Sequence, residues 1–99
     1  MTQSVRLTIW VRGHVQGVGF RWWARARGSE LGLAGTATNL EDGRVEIVVE
    51  GDEDSARAML DDVHAAAGGR HVAHGPPGRV TGVTERWGDP RGLTGFDMR

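Results

Sequence analysis

Arg21 and Asn39 are the two side chains whose type and placement point most directly to chemistry. Arg21 closes the stretch Gly13-His14-Val15-Gln16-Gly17-Val18-Gly19-Phe20-Arg21, with three glycines in seven residues, between an alternating apolar run and an amphipathic pattern. Such a loop lets backbone amides approach an anion closely. A cation in the first helical turn sits at the positive end of the macrodipole, at a cost of about 0.3–1 kcal/mol unless an anion reverses the local field. Arg21 and the amides of His14, Val15, Gln16, Gly17, Val18 and Gly19 are therefore a candidate phosphate or carboxylate site, with bidentate geometry from the guanidinium. Taken alone, the stretch reads equally as a glycine-rich turn followed by a surface arginine. Asn39, the sole asparagine, can donate one hydrogen bond while accepting another, so it can hold a water beside an electrophile without titrating. It equally suits the entry to a hairpin.

The elements that must position these residues follow in order. Val5 to Arg12 alternates, with Val5, Leu7, Ile9 and Val11 on one face, and predicts a half-buried strand whose polar face carries Trp10, which suits covering the sheet better than bordering a ligand. Phe20, Trp23, Ala24, Arg27 or Gly28, and Leu31 mark one side of a helix ending at Gly32, and Trp22 and Trp23 read as packing residues. Gly28 near the inward stripe permits close approach to the sheet, at about 1 kcal/mol of helix propensity relative to alanine. Gly35 to Leu40 and Arg44 to Glu50 predict two strands joined by a turn at Glu41-Asp42-Gly43. Asp52 or Asp54 suits the cap of a second helix, whose stripe is Ala56, Met59, Leu60, Val63 and Ala67, ended by Gly68-Gly69. Residues 70–78 form a loop, predicted mobile, and 79–87 a fourth strand whose broken phase at Val80, Val83 and Trp87 implies a bulge. Leu93 to Met98 makes a short last strand. In a β-α-β-β-α-β order the first and third strands are expected as parallel neighbours, with both helices on one sheet face.

Composition narrows the chemistry. The 99 residues fit one domain, 1–99, and the formal net charge of −1 argues against a general polyanion surface. With no cysteine, thiol nucleophiles, disulfides and thiolate metal sites are excluded; with no lysine, so are Schiff bases and the P-loop lysine. Met1 to Ser4 is unlike a signal peptide and the apolar runs are short, so a cytoplasmic protein is expected.

The glycine loop through Arg21, followed by Asn39-Leu40-Glu41-Asp42-Gly43-Arg44-Val45-Glu46, resembles the acylphosphatase family in both halves and in the spacing between them. The resemblance runs from Val5 to Arg99 and includes Trp87 to Pro90 and Thr94-Gly95-Phe96-Asp97-Met98-Arg99. It implies an α/β (α+β) sandwich, ferredoxin-like, with a short extra C-terminal strand and two helices on one face of a mixed, mostly antiparallel sheet. It also implies metal-independent, cofactor-free hydrolysis of the carboxyl-phosphate anhydride. Carried over by position, Arg21 matches the phosphate-binding arginine, Asn39 the water-orienting asparagine, and the 14–19 amides the phosphate cradle. The implied partners are an acyl phosphate substrate and inorganic phosphate as product and inhibitor; from charge and run length neither nucleic acid nor membrane is expected, and a monomer is expected although the short last strand leaves a sheet edge open to pairing. At Thr36 and Thr38 the sequence departs from the aromatic and basic residues that family members often carry ahead of the asparagine, and such positions bear on affinity and acyl preference. Residues 68–78 look longer than usual and read as an insertion rather than a lid.

Other readings fit less well. Gly17-Val18-Gly19 imitates the opening of a dinucleotide fingerprint, but Trp22 stands where the third glycine belongs. His71 and His74 lack further ligands for zinc. An RNA-binding module shares the strand order but stacks bases on aromatics of its central strands, and here Trp10 stands alone. A non-catalytic module binding acyl or carbamoyl phosphate is a further alternative.

Overall fold

Alternation along the first strand and the two amphipathic stripes set the architecture of the computed structural model, which describes residues 3–70 and 75–99. The elements are β1 (Ser4–His14), α1 (Phe20–Glu30), β2 (Ala34–Asn39), β3 (Val45–Asp52), α2 (Glu53–Ala67), β4 (Arg79–Gly88) and β5 (Phe96–Met98). The strands form one sheet in the order β4-β1-β3-β2-β5. Leu7, Ile9 and Val11 of β1 and Val45, Ile47 and Val49 of β3 are fully buried, and Phe20, Ala24, Ala56, Met59 and Val63 close the core from the two helices. Each large side chain so buried contributes about 1.5–3 kcal/mol.

The parallel pairing expected of the first and third strands is not what forms. β1 and β3 are neighbours but antiparallel, with Ser4 opposite Asp52 and Val11 opposite Val45. The hairpin around Gly43 reverses the chain after β2, so β3 slots between β1 and β2 and runs against both. The crossover through α1 makes β1 and β2 parallel in direction, and β3 splits them. The parallel ladder is instead β2 with β5, where Gly35 faces Phe96 and Ala37 faces Met98.

Several local expectations hold and others shift. The register of β1 against β4 jumps between Arg12 and Gly13, opposite Gly82 and Val80, so Thr81 is the extra residue of the bulge. β1 extends to His14, and the last strand starts at Phe96 rather than Leu93. Asp52 is the N-cap of α2 but makes no side-chain cap bond; the Glu53 amide donates instead to the Gln3 carbonyl at 2.9 Å. Ala67 is exposed at the last turn of α2, where Ala66 packs against the core. At Gly28 the close approach is to one ring: a Cβ there would stand 2.5 Å from Phe96 Cε2. Arg27 leaves the stripe to bridge the helices, its Nε donating to Asp62 Oδ2 at 2.8 Å. Among the described residues no helix is long and apolar enough to cross a membrane. The predictions of mobility in the 70–78 loop and of its role as an insertion include residues 71–74, which lie outside the described residues, as do His71 and His74.

Candidate active site at the loop and hairpin edge

Between the end of β1 and the start of α1 the chain turns through Val15 to Gly19, and the turn depends on two left-handed residues. Gly17 has φ 75° and Gly19, the N-cap of α1, has φ 91°. A Cβ at either would meet nothing within 4 Å, so the requirement is conformational rather than steric. No acidic residue occupies the first turn of α1, so the positive end of the helix has no charge partner of its own there.

Gln16 ties this turn to the β2–β3 hairpin. Its Nε2 donates to the Leu40 carbonyl at 2.8 Å and the Arg44 carbonyl at 3.0 Å. These are the two carbonyls at the hairpin neck, where the Leu40 amide donates to Arg44 and the Gly43 amide to Leu40. The sequence expectation used only the backbone of Gln16. Nothing in its spacing announces the tether, which depends on two loops distant in the chain meeting in space.

The tie brings Asn39, the last residue of β2, to the same cavity as Arg21. The cavity, about 250 Å³, is walled by Val15, Gly17 and Gly19 of the turn, Phe20, Arg21 and Trp22 of α1, and Asn39. The Asn39 Oδ1 is buried and has no hydrogen-bond partner among the described residues. A buried amide oxygen left unpaired costs about 1–3 kcal/mol.

Arg21 is oriented by the other end of the chain. Its Nη1 donates to the Arg99 backbone oxygen at 2.8 Å, and the Asn39 amide donates to the same oxygen at 3.3 Å. β5 carries that oxygen into place, since the Arg99 amide donates to the Ala37 carbonyl at 2.7 Å. Pattern reading had no means of finding this contact, which spans 78 positions. His14 is the final residue of β1, in register with Arg79, rather than a member of the turn.

The nearby acids stay outside. Glu41 and Asp42 are exposed and neither walls the cavity. The Arg44 backbone amide, helped by its guanidinium, holds the Asp42 carboxyl below the usual carboxylate range, so Asp42 is an anion at neutral pH. Thr36 is buried in β2 and Thr38 half-buried.

Trp22 is a correction. Expected to pack, it is 64% exposed at the wall of the cavity, while Trp23 packs against the core and meets Phe20 at 5.4 Å between centroids. Adjacent helical residues project about 100° apart, so with Phe20 and Ala24 inward only one of the pair could share the buried face. Trp10 lies on the open sheet face and its Nε1 donates to Glu46 Oε2 at 2.9 Å. It borders a shallow polar cavity with Arg6 and Arg86.

Fold and site together define a two-layer α/β protein with a cavity at a helix N-terminus, walled by an arginine, a glycine turn and an asparagine. A profile of the acylphosphatase family matches residues 7–98. An acylphosphatase of Thermobifida fusca is 55% identical over 98 residues, covering 98% of this chain and 99% of its own. One of Corynebacterium efficiens is 52% identical, covering 99% and 95%. The crystal structure of acylphosphatase from Bacillus subtilis superposes with a TM-score of 0.81 at 31% identity, covering 96% of this chain and 98% of that one. The chain belongs to the acylphosphatase family.

Proposed function

We propose that this protein hydrolyses acyl phosphates to carboxylate and inorganic phosphate, without a metal ion or cofactor. The observation that carries the reading is the single cavity that brings Arg21, the glycine turn and Asn39 together from three separate elements. Arg21 and amides of the 14–19 segment bind the phosphoryl oxygens. Asn39 orients the attacking water. The water oxygen bonds to phosphorus, the bond from phosphorus to the acyl oxygen breaks, and the carboxylate leaves with its electron pair. The donor set here, a guanidinium with amides and no carboxylate in the wall, suits an anion rather than a divalent cation.

Glu41 and Asp42 are exposed and outside the wall, which supports transfer of the water proton to a phosphoryl oxygen of the substrate. The rate with fully ionised substrate is then nearly flat across mid-range pH; a fall in kcat below one enzymic pKa would require a protein base. Because an acyl phosphate is already activated, charge stabilisation and alignment supply the acceleration.

Benzoyl phosphate hydrolysis in metal-free buffer tests the assignment. Arg21→Ala should lose both phosphate inhibition and roughly 10³-fold in kcat, whereas Asn39→Ala should lose roughly 10²-fold or more in kcat while inorganic phosphate still inhibits. Full activity in either variant removes that residue from the mechanism.

A further inference from the structure

We propose that Trp22 is the acyl-recognition surface of this site, favouring acyl phosphates whose acyl part is aromatic or extended and apolar over small ones such as acetyl phosphate. The inference rests on the acyl phosphate reading above and specifies which members of that class are preferred. Among the described residues Trp22 is the one large hydrophobic side chain classed as exposed, at 64%. A solitary surface tryptophan is ordinary, but this one follows Arg21 directly and shares the cavity wall with Arg21 and Asn39.

Size points the same way. The cavity, about 250 Å³, lies below the range of roughly 300–1,000 Å³ of pockets that enclose a drug-sized ligand. A phosphoryl group held at Arg21 fills the inner part with its water, so the acyl part projects toward the mouth. There the indole offers apolar area that water covers in the free protein, and an aromatic or apolar acyl group displaces that water favourably. The Arg25 guanidinium stands 5.8 Å from the ring centroid, within cation–π range. A cation near one ring face restricts the indole, and any such restriction lowers the ordering cost of binding.

Steady-state kinetics of wild type, Trp22→Ala and Trp22→Phe with benzoyl phosphate and acetyl phosphate test the proposal, with inhibition by inorganic phosphate measured in each. Trp22 lies outside the core, so the variants fold. Trp22→Ala should lower the benzoyl-to-acetyl ratio of kcat/KM about three- to tenfold, through KM for benzoyl phosphate. Phosphate inhibition should move less than twofold, and Trp22→Phe should restore most of the ratio. If wild type cleaves both substrates and the ratio is unchanged in Trp22→Ala, the role of Trp22 falls while the acyl phosphate reading stands. If wild type cleaves neither, that reading falls and takes this one with it.

Discussion

The Glu50 carboxylate and the cavity beside Arg21 lie at opposite ends of the β2–β3 ladder, where Glu50 faces Ala34 and Val45 faces Asn39. They are built from the same parts. Glu50 accepts from Arg6 Nη1 at 2.6 Å and from three successive backbone amides, Arg91 at 2.9 Å, Gly92 at 3.0 Å and Leu93 at 2.9 Å. It is only 6% exposed. The cavity likewise joins a guanidinium to a glycine turn and a helix N-terminus, but no carboxylate walls it. One anion site is filled by the protein's own side chain and fastens the segment leading into β5. The cavity beside Arg21 is left open, with the guanidinium held by the Arg99 backbone oxygen rather than by a carboxylate side chain.

The comparison breaks most visibly if the two arginine-centred sites exchange behaviour under mutation. Against the roughly 10³-fold kcat loss of Arg21→Ala, its unfolding free energy in urea should fall by only about 1 kcal/mol, the net worth of the exposed bond to Arg99. Glu50→Ala should instead cost about 2–4 kcal/mol, because three amides and Arg6 lose their common acceptor. A Glu50→Ala protein as stable as wild type in urea would show that the clasp is not structural.

Acid should act on the filled site next. Burial raises the Glu50 pKa, but the Leu93 and Arg91 amides and the Arg6 guanidinium outweigh it, leaving the group below its ordinary 4.5. A carboxylate whose folded pKa is depressed contributes its stability fully above the unfolded value and loses it as pH falls through the folded one. Urea midpoints should therefore drop below about pH 4.5 more steeply in wild type than in Glu50→Gln. Parallel pH curves would separate Glu50 from the acid response.

The smallest expected effect concerns the tether of the open site. Gln16→Ala removes two hydrogen bonds between the turn and the hairpin neck, and should cost about 1–2 kcal/mol in stability with a few-fold loss in kcat/KM. A loss confined to stability would mean that the turn keeps its shape without Gln16.

Legibility in the sequence followed the range of the cause. The β1 alternation, the inward residues of β3 and the bulge in β4 were readable because each is a short-period pattern or its interruption. Arg21 and Asn39 were nameable because glycine spacing and the hairpin signal flank them. Trp22 was misassigned because the apolar side chains of a Trp-Trp pair look alike without a phase, although the 100° step between neighbours offered the correction. The strand direction of β3 relative to β1 was misread because it depends on combining the α1 crossover with the hairpin, which no single segment encodes.

By itself the sequence determined the alternation and stripes that make a two-layer core, the glycine-rich stretch ahead of Arg21, and the residue types available for holding an anion. These are local properties of backbone sterics and hydrophobic period. Only the tertiary structure decided that Gln16 would clasp the hairpin, that β5 would deliver the Arg99 oxygen to Arg21, and that Asn39 would share a cavity with Arg21. Each of these is a meeting of groups far apart in the chain. Their geometry exists only once the sheet has set its strand order and register.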